Sequence, residues 1–154
     1  MSFIFVVVLG LGGLIAVLAF FGAQLSASAG RRAARTILNL EQQYSSLAEQ
    51  AINRHILDNN NLELDLETTK AQLLRVLKPQ VEALIGHINS TSLSDVRIKT
   101  KTPTFRNVAA TAEALYDRRN KDKSLLREEE EERLYKTLAT AIEADLSARM
   151  LRLG

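Results

Sequence analysis

Residues 3–23 read FIFVVVLGLGGLIAVLAFFGA, and no charged side chain precedes Arg31. An apolar run of about 20 residues at 1.5 Å per residue matches roughly 30 Å of hydrocarbon. The reading that follows is one transmembrane helix. Leu, Ile, Phe and Val at roughly −0.3 to −0.6 kcal/mol each near a membrane centre favour insertion. Ala27-Ser28-Ala29 has the form of a signal cleavage site, but Met1-Ser2 carries no positive charge and the apolar run is long for a signal. Arg31, Arg32 and Arg35 follow it and set the expected topology, because basic residues beside an apolar helix resist translocation. The expected localisation is a single-pass membrane protein with its N-terminus outside and its C-terminal domain cytoplasmic. The plasma membrane or another energy-transducing membrane such as a thylakoid would hold it.

Outward from that stretch, small residues recur at Gly12, Ala16, Ala19 and Ala23, four or three apart on one helical face. Such a face lets a second backbone approach closely, so these four are the expected partner contacts within lipid. The same rhythm continues through Ile37, Leu40, Tyr44 and Leu47 in a heptad-like, coiled-coil seam. Water drives burial of these larger side chains, which are the expected partner contacts of a membrane-proximal stalk. Ala34, Leu38, Ala48 and Ile52 widen the seam to the breadth that suits a helical bundle.

The remaining chain divides by its punctuation. Asp58-Asn59-Asn60-Asn61 is a break, with Asn60 and Glu63 at capping distance, so a second helix is expected from Leu62 to about Asn89. Pro79 should kink or restart it. A polar linker near residues 90–104 follows, in which Val96, Ile98 and Thr100 alternate with Arg97, Lys99 and Lys101. Period two suggests an extended strand or edge. With Arg106, these bases form the expected contact with an anionic surface, either lipid headgroups or an acidic protein. A third helix is expected with Thr102 or Thr104 as its cap, and the polar run Asp117–Ser124 reads as a break or as an exposed stretch of one long helix. Glu128 to Glu132 then open a last helix as a solvated, dipole-favoured first turn. Residues 95–123 hold eight basic and four acidic side chains, and 124–154 hold five and seven, so the two blocks can pair.

The expected fold class is therefore all-α: a single N-terminal transmembrane helix (1–29) continuing into an amphipathic stalk (30–57), then a small antiparallel helical bundle (58–154). Chemistry is sparse. There is no cysteine, His55 and His87 are isolated, and no phosphate-cradling glycine loop or nucleophile elbow occurs. No catalytic residue, cofactor, metal site, small-molecule substrate or nucleic acid is expected. Partners are membrane lipid, other membrane subunits or a second copy, and the expected role is a structural, accessory or scaffolding subunit. The outline, an N-terminal span followed by helix in a chain of similar length, resembles the b subunit of rotary ATP synthases, which implies a peripheral-stalk role in an energy-coupling complex. The resemblance covers architecture only; Asn59–Asn61, Pro79 and the Ser/Thr-rich linker interrupt the long charged helix of that family, and no residue is carried across.

Overall fold

The computed structural model describes residues 30–56, 65–91, 93 and 95–153. Over these the chain is all-helical, with no strand. Helix α1 covers residues 30–56, α2 Leu66–Ser90, α3 Arg106–Asp122 and α4 Glu128–Leu153. A single 3-10 turn, Pro103–Phe105, leads into α3.

Each helix buries one stripe at three-and-four spacing. In α1 the stripe is Ala33, Ile37, Leu40, Tyr44, Ala48 and Ile52. In α4 it is Leu134, Leu138, Ala141, Ile142 and Leu146, and it lies at the centre, against α2, α3 and the 3-10 turn. Cross-contacts give the directions. Lys70 meets Glu143 and Arg118 meets Glu130, so α2 and α3 both run antiparallel to α4. Tyr44 meets Asp145 and Ser45 meets Arg149, while Ile52 and Asn53 lie beside Arg152, so α1 runs parallel to it.

It follows that α2 and α3 are parallel, which the contact of Arg119 with the Asn89 carbonyl at their C-terminal ends supports. The connection between them must therefore travel the length of the bundle. Seventeen residues of α3 span about 26 Å, and a dozen extended residues reach about 40 Å, so the polar linker is long enough. The described residues form a four-helix bundle with one long crossover, antiparallel for two of its pairs with α4 and parallel for the third.

That crossover replaces the expected strand. Val96 and Ile98 are buried while Arg97 and Lys99 are exposed, as period two requires. Its backbone donors find carboxylates instead of a neighbouring strand: Asp95 N–H donates to Asp117, Ile98 N–H to Glu113 at 2.8 Å, and Lys101 N–H to Glu41. Glu113 and Asp117 are one helical turn apart on α3, so the extended strap runs back along that helix.

Several expectations change. The single-pass membrane localisation is corrected: among the described residues no helix is long and apolar enough to cross a membrane, because each carries charged side chains along its exposed face. The stretch Phe3–Ala23, and with it Gly12, Ala16, Ala19 and Ala23, lies outside the described residues, as do Asn59–Asn61. The stalk is corrected as well. Ile37, Leu40 and Tyr44 are at most 2% exposed and Leu47 packs against the same core, so α1 is a wall of the bundle and does not project from it. Arg31, Arg32 and Arg35 are exposed on its outer side.

The helix ends differ too. Asp65 caps α2, its carboxylate accepting from the Thr68 N–H and hydroxyl. Pro79 lies inside an unbroken α2, and because Pro79 and Arg75 both face outwards, water can take up the Arg75 carbonyl that Pro79 leaves unbonded. Neither Thr102 nor Thr104 caps α3; Phe105 holds the cap position with no side-chain bond, and the Thr104 hydroxyl turns to Asp145. Helix α3 runs through most of 117–124 and stops at Lys123, whose φ of 56° is left-handed. Lys123 N–H closes the turn on the Arg119 carbonyl at 3.0 Å. An L-residue pays for that conformation, so Lys123→Gly is expected to stabilise the chain by about 0.5–1 kcal/mol. Chemical denaturation reads this directly, with Lys123→Ala, which keeps the steric cost, as the comparison.

Candidate functional site

A polar cluster sits where α1, the 3-10 turn and α4 meet. Asp145 stands on α4 one position before the buried Leu146, at the edge of the apolar stripe. Its Oδ2 accepts from the Tyr44 hydroxyl at 2.5 Å and from Arg149 Nε at 2.6 Å, and its Oδ1 from the Thr104 hydroxyl at 3.1 Å. The Arg149 guanidinium also lies 5.9 Å from the centre of the Tyr44 ring, and that ring packs on Phe105 at 5.4 Å.

Burial alone would raise the Asp145 pKa, but the hydrogen bonds from Tyr44 and Arg149, the Arg149 charge and the Thr104 hydroxyl together hold it below the ordinary Asp value. Burial, reinforced by Asp145, pushes the Tyr44 phenol upward, so the hydroxyl stays protonated and remains a donor. Three donors engage both oxygens of this carboxylate. The cluster acts as a clamp that fixes α1 and α4 in register.

Glu41, one turn before Tyr44, is a second buried carboxylate, 4% exposed. Burial raises its pKa above the ordinary Glu value, against the opposing backbone N–H groups of Lys101 and Thr102 and the Lys101 charge. Folding thus shifts Glu41 toward its neutral form relative to the unfolded chain. Its stabilising share is present below the ordinary Glu pKa and is lost as pH rises through the folded value. Glu41→Gln keeps an acceptor for Lys101 N–H without the charge, so at pH 7 its stability is expected to equal or slightly exceed that of the natural chain. Glu41→Ala orphans that donor and is expected to cost about 1–2 kcal/mol. A pH series of urea melts on both variants measures the contrast.

Beside the Asp145 clamp a surface groove of about 690 Å³ opens between α4 and the start of α3. Pro103, Thr104 and Asn107 wall one side. Its floor is the outer face of α4, where Thr140, Ala144 and Ala148 are exposed at helical spacing. Arg133, Lys136 and Arg152 rim it. The lone acid there, Asp145, is already occupied by its own donors. Chemically the groove offers shape and positive charge. Among the described residues no group of three or more His, Asp or Glu side chains could hold a metal ion.

The proposed anionic contacts Arg97, Lys99, Lys101 and Arg106 are all exposed, on the crossover and the first residue of α3. Arg97 reaches Glu113 at 3.8 Å while staying largely in water, which makes that pair weak. The stalk residues Ile37, Leu40 and Tyr44 face the chain's own core and are not part of any surface. Asp145 and the α4 groove were not among the sequence candidates. The available signals were the i,i+4 pairing of Asp145 with Arg149 and the run of Thr140, Ala144 and Ala148 opposite the apolar stripe. No protein-family model, curated protein or solved structure matches the chain.

Proposed function

We propose that the chain is a non-enzymatic accessory or scaffolding subunit that works through helix–helix contact, with the groove along α4 as its contact surface. The observation that carries this reading is the floor of that groove. Thr140, Ala144 and Ala148 leave one side of a central helix uncovered and short-chained, so that a second helix can approach to about 8–10 Å between axes. The rigid bundle behind it, closed by the Asp145 clamp, presents that face without reorganisation. Ala144 is exposed, so Ala144→Trp fills the groove without touching the core. Crosslinking of the full chain at native expression is expected to give a larger species that Ala144→Trp reduces at least tenfold; an unchanged species overturns the reading.

A second reading rests on the exposure of Arg97, Lys99, Lys101 and Arg106 along one short segment. They would recruit the chain to an anionic surface, with affinity falling as salt rises. Replacing all four by Gln should then weaken binding of the full chain to anionic vesicles relative to the natural chain, and equal binding overturns it.

A further inference from the structure

We infer that the occupant of the α4 groove is the α4 helix of a second copy, packed antiparallel across a two-fold axis. The inference rests on the scaffolding reading above and names its partner. Helix α4 is strongly polarised: its first turn holds Glu128 to Glu131, and Arg152 stands in its last. Among the described residues Glu128, Glu129, Arg133 and Arg152 form no ion pair within the chain. The outer face of the helix runs Glu129, Arg133, Lys136, Thr140, Ala144, Ala148 and Arg152.

Laid against itself in the opposite direction with Thr140 and Ala141 at the axis, this face is self-complementary. Glu129 falls opposite Arg152 of the second copy, and the symmetry makes that pair twice. The small residues Ala144 and Ala148 fall opposite Thr137 and Arg133 of the second copy, so no two bulky side chains coincide. The same arrangement sets the macrodipoles side by side and antiparallel, with each positive end beside a negative one, which is the favourable sense. It also brings Leu151, which is 82% exposed at the end of this face, into the contact. An isologous contact of this kind closes at two copies. A partner helix with an acidic tail and no basic end would satisfy only half of the pattern.

The natural chain has no cysteine, so single-cysteine variants of the full chain report geometry without background. Thr140→Cys is expected to form a disulfide-linked dimer under mild oxidation at least tenfold faster than Glu82→Cys, which is exposed on α2 away from the groove. Adding Glu129→Arg or Arg152→Glu singly should slow that crosslinking at least threefold, more so at low salt, and combining the two should restore it by exchanging the charges. Equal rates for Thr140→Cys and Glu82→Cys, or no recovery in the exchanged pair, overturn the second copy as occupant. If Thr140→Cys instead bonds to a chain of different sequence and Ala144→Trp abolishes the adduct, the self-association inference fails while the scaffolding reading stands.

Discussion

Replacing Asp145 by Ala is expected to lower the unfolding free energy by about 3 kcal/mol. The change removes the acceptor of Tyr44, Thr104 and Arg149 at once, and it leaves the Arg149 guanidinium half-buried against the Tyr44 ring with no counter-charge. Hydrogen bonds to a charged group contribute about 1.5–3 kcal/mol, and breaking a buried ion pair costs about 3–5 kcal/mol. Arg149 retains some exposure, which discounts the upper figure. Asp145→Asn preserves size and one acceptor, so it should cost less, about 1–2 kcal/mol. The pH dependence separates charge from shape. A carboxylate whose folded pKa is depressed contributes stability that is present above its unfolded pKa and is lost as pH falls through the folded value. Asp145 is such a group, so the natural chain should lose stability on acidification in the Asp range, and Asp145→Asn should lose less over the same interval. Urea melts at neutral and acidic pH test both statements. A loss below about 1 kcal/mol for Asp145→Ala at pH 7 would show that the clamp does not hold α1 to α4.

Helix stripes were readable in the sequence because period and burial coincide. Ile37, Leu40 and Tyr44, like Leu134, Leu138 and Ile142, are apolar at three-and-four spacing and are all buried. The all-helical class followed from those stripes, and the alternation of Val96 and Ile98 with Arg97 and Lys99 told which side chains of that extended segment are buried, though the same period reads as a strand or edge. Periodicity, however, says that a face is covered and not by what. The seam on α1 reads equally as a surface for another molecule, and the structure buries it in the chain's own core.

Direction and polar pairing were the least legible. Ser90 to Thr104 reads as a linker, and nothing local tells that it must return the chain the length of a bundle so that α2 and α3 run parallel. Asp145 is a lone charge beside an apolar stripe, and its donors come from 101 and 41 positions away as well as from the next turn. Glu41 likewise looks like a flaw in the seam until Lys101 arrives with an N–H to satisfy. Capping was missed for a related reason. Asn60 with Glu63 and Asp65 with Thr68 both fit the local rule, and the choice between them depends on where the helix can begin to bury Leu66 and Thr69.

The α3–α4 junction should be nearly as sensitive as the Asp145 clamp, and Arg118→Ala is expected to cost about 2–3 kcal/mol. One guanidinium does three tasks there. It holds the Glu130 carboxylate with two parallel bonds, the Nε contact at 2.7 Å; it donates to the Ser124 carbonyl and hydroxyl; and it donates to the Leu125 carbonyl. Glu130 in turn reaches back to the Arg127 N–H at 3.0 Å, so the carboxylate that Arg118 orients is also the one that starts α4. Of the five consecutive glutamates, this is the one with a fixed structural task. Burial raises the Glu130 pKa, but the Arg118 hydrogen bond and the Arg127 N–H and charges outweigh it, and the net shift is downward. Its contribution is therefore present above the ordinary Glu pKa and fades as pH falls through the lowered value. Arg118→Lys is the informative variant. It keeps the charge but loses the planar fork, and a flexible ammonium cannot serve Glu130 and two loop carbonyls together. It should retain less than half of the stabilisation. A double-mutant cycle between Arg118→Ala and Glu130→Ala should give a coupling of about 1–2 kcal/mol. Full stability in Arg118→Lys would mean that charge alone closes this turn, and the hydrogen-bonded fork would lose its explanatory role.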